Sequence, residues 1–146
     1  MIWPTEKANS WYKSKGWILG FNYVPSTAVN STEMWQSESF DAPTMERELA
    51  AASQCGYNSC RVFLQYLVWK HEGDKFLANL ECFLDICKRN GITVLPLFFD
   101  DCAFAGREPY FGKQDDPKPG IHNSGWTPSP GFTAADDPSC QENLKL

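Results

Sequence analysis

Short apolar runs alternate with amphipathic helical segments along this chain, and this alternation constrains its fold more than any other feature. The apolar runs have the length of strands and cover residues 17–24, 59–65 and 92–99. Between them, residues 42–55 and 74–90 carry apolar side chains at helical spacing. Near-continuous apolar strands that alternate with amphipathic helices are typical of parallel strands covered by helices. The sequence therefore predicts an α/β fold, and both an open doubly wound sheet and a (β/α)8 barrel satisfy the pattern.

Residues that favour helix ends mark the boundaries of these segments. Asp41 is a suitable N-cap with Pro43 in the first turn, and Asn90-Gly91 ends the second helix. Asp137 followed by Pro138 predicts the start of a further helix.

The composition limits the kinds of partner that the chain is expected to have. Hydrophobic residues make up 42% of the 146 residues, which is ordinary for a globular protein. The formal net charge is −5 and the basic residues are scattered, so we expect no nucleic-acid partner. No apolar run approaches the roughly 18 to 20 residues of a membrane span, and no export signal follows Met1. We therefore expect no membrane partner and a cytoplasmic location.

The six cysteines do not follow a zinc-binding pattern. Cys55 and Cys60, like Cys82 and Cys87, are separated by four residues, which is not the usual spacing of a zinc knuckle. We expect reduced cysteines, which suit the cytosol, and we predict neither a metal site nor a cofactor.

Arg61 lies inside a segment that otherwise has the composition of a buried strand. Cys60 and Val62 flank it, and Phe63 and Leu64 continue the apolar run. A guanidinium keeps its proton and is costly to bury without partners, so Arg61 needs carboxylates or a polar ligand. Both a structural salt bridge and the floor of an active site satisfy this requirement.

Polar and aromatic side chains follow each predicted strand, where parallel α/β folds bind their ligands. Asn22 ends the first strand, Gln65 the second, and Asp100 and Asp101 the third. Aromatic faces pack on sugar rings while amides and carboxylates bind sugar hydroxyls, so this set favours a polyhydroxylated ligand. Trp17 and Phe63 are expected in the core. Trp35 and Trp126 are the candidate sugar platforms because they lie in polar segments.

A long segment over residues 102–136 follows the third strand and shows no clear periodicity. It is rich in glycine and proline but also contains Tyr110, Phe111 and Trp126. Disordered segments contain few aromatic residues. We therefore expect an ordered loop that covers the site.

Several motifs in this chain, in order, resemble those of cellulase-like retaining glycoside hydrolases of the (β/α)8-barrel clan, which include cellulase and endo-xylanase relatives. The motifs begin at Gly20-Phe-Asn-Tyr-Val-Pro, Gly56-Tyr-Asn-Ser-Cys-Arg, Leu97-Phe-Phe-Asp-Asp-Cys and Pro119-Gly-Ile-His-Asn-Ser-Gly-Trp. The resemblance implies hydrolysis of O-glycosidic bonds in a β-linked oligosaccharide or polysaccharide. It places Asn58 and Arg61 around the second strand, with the arginine beside a nucleophilic glutamate that it keeps ionised. It also implies that His122, Asn123 and Trp126 line the sugar cleft.

The chain departs from the family pattern at the catalytic carboxylates. Retaining glycosidases need two carboxyl groups roughly 5 to 5.5 Å apart. The resemblance implies glutamates after strands four and seven, the first within Asn-Glu-Pro, and this chain contains no Asn-Glu dipeptide. Asp100 and Asp101 are adjacent, so strand alternation is expected to point them apart. We assign no catalytic residue and expect residues 1–146 to be the incomplete N-terminal portion of a catalytic barrel.

Two other interpretations remain open on the sequence alone. The chain can be a non-catalytic carbohydrate-binding remnant, or a small flavodoxin-like domain that binds an unrelated ligand. The second would favour a phosphate-binding first loop, and neither G-x-G-x-x-G nor a P-loop is present.

Overall fold

The computed structural model describes residues 2–102 and 106–144 and contains a parallel sheet of three strands. The strands are β1 (Gly20–Asn22), β2 (Ser59–Phe63) and β3 (Thr93–Leu97), in the spatial order β1-β2-β3. Both neighbouring pairs are parallel, and Asn22, Arg61 and Leu95 lie side by side in the register. The predicted α/β class and the three parallel strands are confirmed.

β1 is shorter than predicted because a side chain replaces the sheet ladder at its N-terminal end. The amide of Asn58 donates to the carbonyl of Trp17 at 2.8 Å and accepts from the N–H of Leu19 at 2.9 Å. Residues 17–19 therefore lie outside the strand. The prediction that Trp17 belongs to the core is wrong, since its side chain is 80% exposed.

The two predicted helices form close to their expected positions. The first, α3 (Ala42–Gln54), begins at Asp41, whose carboxylate accepts from the N–H of Thr44 at 3.0 Å. The second, α5 (Asp74–Arg89), ends in basic residues and is followed by Asn90. The predicted start at Asp137-Pro138 is also confirmed, as α7 (Pro138–Leu144).

Among the described residues, four further helices were not predicted. They are α1 (Thr5–Lys15), α2 (Ser31–Trp35), α4 (Tyr66–Glu72) and α6 (Phe132–Asp136). None of the residues of α1 is buried, so it has no apolar stripe that the periodicity could reveal. The other three span seven residues or fewer, which is too short for a helical period to emerge.

The core lies between one face of the sheet and the helices α2, α3, α4 and α5. Cys60 and Val62 project from β2 into it, following the strand alternation. The remaining fully or nearly buried apolar side chains include Tyr23, Met34, Trp35, Met45, Leu49, Val68, Phe76, Phe83, Ile86 and Cys87.

Trp35 lies at the centre of this core and is not a sugar platform. It has no exposed surface, its indole N–H donates to the carbonyl of Phe63 at 2.7 Å, and its ring meets Phe83 edge-on at 5.5 Å. The prediction is wrong because α2 turns its apolar side chains toward the sheet, while the sequence around Trp35 is polar.

The other face of the sheet and the outer edge of β3 lack a cover of this kind among the described residues. Leu95, Phe98 and Phe99 are 56%, 53% and 61% exposed. A membrane-spanning helix is absent from the described part of the chain, since none of its helices is both long and apolar enough.

Candidate functional site

Arg61, at the centre of β2, meets Asn22, the last residue of β1. They are register partners on neighbouring strands, and the Nε–H of Arg61 donates to Oδ1 of Asn22 at 2.8 Å. The guanidinium also lies over the ring of Phe63, at 5.2 Å from its centroid. Within the described chain, the only ion pairs join Arg89 to Glu46 and Arg107 to Asp115, so Arg61 has no carboxylate partner there.

Arg61 is exposed, although the sequence around it predicted burial. Its neighbours Cys60 and Val62 face the helices, and the alternation of β2 therefore turns Arg61 to the uncovered face of the sheet. The guanidinium thus lies exposed on this face, where its remaining N–H groups can meet a ligand or an incoming carboxylate.

Asp100 and Trp126 form a second polar pair at the carboxyl end of the sheet. The indole N–H of Trp126 donates to Oδ2 of Asp100 at 2.7 Å, and Oδ1 of Asp100 accepts from the N–H of Cys102 at 2.9 Å. The backbones of Asp100 and Ser129 exchange two hydrogen bonds of 2.8 Å. Both side chains are about nine-tenths buried, so Asp100 fixes the orientation of the indole.

Phe63 joins these two pairs into one row. The ring of Trp126 meets the ring of Phe63 edge-on at 5.3 Å, on the residue that also contacts Arg61. The row therefore runs from Asn22 through Arg61, Phe63 and Trp126 to Asp100. Because Trp126 is only 8% exposed, it forms the edge of a wall and does not present an open stacking face.

Asp100 and Asp101 do not point apart, in contrast to the prediction from strand alternation. One carboxylate oxygen of each and the Cys102 sulfur lie within 4.8 Å of one another. The alternation fails because β3 already ends at Leu97. Among the described residues this is the only group whose side chains converge as metal ligands would. It is mostly exposed, and Asp100 is already hydrogen-bonded, so we assign no metal to it.

The charges of Asp100 and Arg61 act in opposite directions on the thiol of Cys102. The hydrogen bond and the negative charge of Asp100 raise the pKa of the Cys102 thiol, and the positive charge of Arg61 opposes this rise. Arg61 therefore acts electrostatically on the segment that follows β3, as expected if both belong to one site.

Gln65 is not available to a ligand. Its side chain is fully buried, its amide N–H groups donate to the carbonyl of Pro128 at 3.1 Å and to Ser31 at 3.5 Å, and its oxygen accepts from the N–H of Leu67. The prediction of a sugar contact is wrong because the amide is buried and already bonded to the 106–131 loop, to α2 and to α4.

His122 and Asn123 are exposed on the turn that precedes Trp126. Asn123 has a left-handed backbone (φ 48°), and its carbonyl accepts from the N–H of Trp126 at 2.9 Å. Asn123 therefore shapes the turn that positions Trp126. The role of both side chains in lining a sugar cleft stays a prediction.

Asn58, which the family resemblance associates with Arg61, lies at the opposite end of β2. Its two hydrogen bonds to residues 17 and 19 hold the start of β1. A cavity of about 170 Å³ also opens at that end, lined in part by Trp11, Lys15 and Asn58, and so it is separate from the row of Arg61 and Trp126.

Sequence reasoning missed the residues that hold the 106–131 loop against the body of the protein. Asn30 is fully buried and donates to Gln114 at 2.9 Å and to the carbonyl of Gly125 at 2.8 Å. A signal for α2 was present, since Asn30 followed three residues later by Glu33 is typical of a capped helix start. No sequence signal revealed that Asn30 also binds the loop.

The row of Asn22, Arg61, Phe63, Trp126 and Asp100 can bind a polar ligand but holds no arrangement for glycoside cleavage. It offers guanidinium and amide donors beside aromatic edges. Asp100, its one carboxylate, is hydrogen-bonded within the chain. No protein-family model, curated protein or solved structure matches this chain.

Proposed function

We propose that this chain forms the first three β/α units of a (β/α)8-barrel glycoside hydrolase and supplies the sugar-binding floor of its cleft. The observation that carries the proposal is the exposed guanidinium of Arg61 on the uncovered face of a parallel sheet, held by the last residue of β1, Asn22, and lacking a carboxylate partner in the described chain. The substrate would be a β-linked oligosaccharide or polysaccharide, cleaved with retention of configuration.

The chemistry of a retaining glycosidase explains why such an arginine is useful. The nucleophilic carboxylate must stay ionised, and a guanidinium at close range lowers its pKa. Asn22 fixes the guanidinium through Nε, which leaves its terminal N–H groups directed elsewhere. A glutamate from a later strand of the barrel would meet those groups.

The strand order favours a barrel over a flavodoxin-like sheet. A flavodoxin-like sheet places its first strand between the second and the third, whereas here β2 lies between β1 and β3. In a (β/α)8 barrel consecutive strands are neighbours, as they are in this sheet.

The outer edge of β3 supports the continuation of the sheet. The N–H of Thr93 donates to Asn58 and the carbonyl of Leu97 accepts from Leu64, so these two residues direct their backbone groups toward β2. Val94 and Phe98 direct theirs outward, and Pro96 between them offers only its carbonyl because proline has no N–H. With the exposed side chains of Leu95, Phe98 and Phe99, the edge suits a fourth parallel strand.

In the proposed enzyme, this chain contributes substrate binding, and the catalytic carboxyl groups come from another part of the protein. Acid–base catalysis and the covalent intermediate require two suitably placed carboxyl groups. Asp100 is buried against Trp126, so we assign both catalytic groups to glutamates outside residues 1–146. The cytoplasmic location also stays a prediction, supported by six cysteines that form no disulfide.

The gene downstream of codon 146 and the protein that it encodes test this proposal. We expect an in-frame continuation with further β/α units and an Asn-Glu-Pro motif, and the extended protein should hydrolyse aryl β-glycosides, β-glucan or xylan. Arg61→Ala should lower the turnover number at least tenfold, and Arg89→Ala, which removes an exposed ion pair on α5, should not.

Two results would contradict the proposal. One is a continuation without β/α units. The other is turnover by the 146-residue chain alone that is lost in Asp100→Asn or Asp101→Asn, which would place the catalytic carboxylates within this chain. If the extended protein binds cellohexaose or xylohexaose without cleaving any glycan, the non-catalytic carbohydrate-binding alternative is the correct one.

A further inference from the structure

We propose that three buried amide side chains, Asn30, Gln36 and Gln65, hold the 106–131 loop in its final position before any ligand binds, and that Asn30 is the positioning residue for Trp126. We call these three residues the loop anchors. The importance of this position for sugar binding rests on the proposed function, whereas the anchoring itself does not.

Asn30 connects the start of α2 with two separate parts of the loop. Its Oδ1 accepts from the N–H of Glu33 at 2.9 Å, which caps α2, and its Nδ2 donates to Gln114 and to the carbonyl of Gly125. Every hydrogen-bonding position of the amide group except one acceptor lone pair is used. A side chain that is fully buried and bonded in this way has little freedom to move.

Gln36 and Gln65 hold the loop on either side of the contacts that Asn30 makes. Gln36 accepts from the N–H of Gly112 at 2.6 Å and donates to the carbonyl of the same residue at 3.1 Å, as a neighbouring strand would do. Gln65 donates to the carbonyl of Pro128 at 3.1 Å. The anchors therefore bind the loop near its beginning and near its end.

The anchoring acts directly on the neighbours of Trp126. Asn30 binds the carbonyl of Gly125, the residue before Trp126, and Asp100 binds both the indole and, through its backbone, Ser129. The indole is therefore fixed from both sides.

Burial distinguishes the end of this loop from a lid that closes on its ligand. Residues 125–131 are buried, whereas lids are drawn from segments with few buried contacts. The geometry therefore points to a preformed wall beside Arg61.

Hydrogen–deuterium exchange on the ligand-free 146-residue chain tests the proposal. In the wild type, the hydrogen-bonded backbone amides of Trp126 and Ser129 should exchange much more slowly than the amides of the exposed residues 115–123. Asn30→Ser keeps the helix cap and removes the two donated bonds, so exchange over 120–131 should accelerate about tenfold, while exchange in α5 should not change. Asn90→Ser, which removes amide donors at the end of α5, is the matched control and should leave the loop unchanged.

Fast exchange of the Trp126 and Ser129 amides in the wild type would overturn the proposal, and this measurement does not depend on the folding of any variant. Unchanged loop exchange in Asn30→Ser would also overturn it. Titration with cellohexaose separates the proposed function from the anchoring of the loop. If neither the wild type nor Asn30→Ser binds the sugar, the proposed function fails, and the exchange data still test the anchoring. If the wild type binds, Asn30→Ser should bind about tenfold more weakly at unchanged global stability, and equal affinity would exclude a positioning role.

Discussion

Among single residues, Trp35 is expected to contribute strongly to the stability of the core because it contacts several of its elements. Its ring contacts Phe40, Phe76 and Phe83, its indole N–H reaches the end of β2, and its carbonyl accepts from Asn79 on α5. One side chain therefore links α2, the sheet and α5. The same residue type at position 17 contributes little, because 80% of its side chain is exposed.

Trp35→Phe is expected to destabilise the protein by about 2 kcal/mol, because it removes ring volume from the core and leaves the carbonyl of Phe63 without its indole donor. Trp17→Phe is the matched control and should change the free energy of unfolding by less than about 0.5 kcal/mol. Urea unfolding followed by circular dichroism measures both. Equal effects of the two substitutions would contradict the central position of Trp35.

Tyr23 makes the free energy of unfolding depend on pH in the alkaline range. Burial, followed by the hydrogen bond to Glu48, raises its pKa above the usual value of about 10. The unfolded chain therefore loses this proton at a lower pH than the folded protein does. The contribution is fully present below about pH 10 and decreases as the pH rises beyond that value.

The alkaline loss of stability should be smaller in Tyr23→Phe than in the wild type, although this variant also lacks the bond to Glu48 and is less stable at pH 7. Tyr12→Phe, at an exposed tyrosine, is the control. Denaturant unfolding at several pH values between 8 and 11 measures how steeply the free energy of unfolding changes with pH in each protein. Identical slopes in Tyr23→Phe and the wild type would refute this assignment.

At the scale of elements, the end of the 106–131 loop depends on one glycine. Gly131 has φ 102°, and a Cβ there would lie 2.8 Å from Pro109, besides meeting the Glu108 carboxylate. That carboxylate accepts from the N–H groups of Phe132 and Thr133 and so begins α6. The glycine permits the chain to pass Pro109 closely enough for this contact.

Gly131→Ala should therefore destabilise the protein by more than about 1 kcal/mol, through both backbone strain and contact with Pro109. Gly120→Ala is a useful comparison, because Gly120 also has positive φ (77°) but open space around its Cα. The difference between the urea midpoints of the two variants measures the cost of the contact with Pro109, apart from the backbone strain that both share. A Gly120→Ala variant that is the less stable of the two would argue against the close approach.

The elements that the sequence predicted are those with strong local signals. α3 and α5 carry apolar stripes and identifiable caps, and the three strands are apolar runs next to glycine or helix ends. The site was predicted less well, because Gln65 and Trp35 have the residue types of sugar-binding side chains and serve instead to hold the loop and fill the core. Such exchanges of role depend on contacts between residues far apart in the chain, which local patterns do not encode.

At the scale of the whole molecule, the sheet has one well-covered face and one exposed apolar edge. Phe98 and Phe99 lie just beyond β3 with more than half of each side chain exposed. Exposed apolar side chains beside an unpaired strand edge favour association. In the proposed barrel the next unit would cover them.

The 146-residue chain is therefore expected to self-associate, and replacing both Phe98 and Phe99 by Ser should shift it toward the monomer. Leu77 and Leu84 are exposed on α5, and their double replacement by Ser is the control. Sedimentation velocity over a range of concentrations compares the three proteins. A wild-type chain that stays monomeric at high concentration would show that the edge is already protected.

The contacts of Asn30 also bear on the order in which the protein folds. Asn30 meets its loop partners across 84 and 95 residues of chain, and Gln65 meets Pro128 across 63. Closing such long segments costs entropy that no local contact offsets, so these bonds form only after the sheet and its helices are in place. The wall beside Arg61 is accordingly the last part of the described chain to assemble and the first to detach under mild denaturant, so ligand binding should be lost before the helical signal.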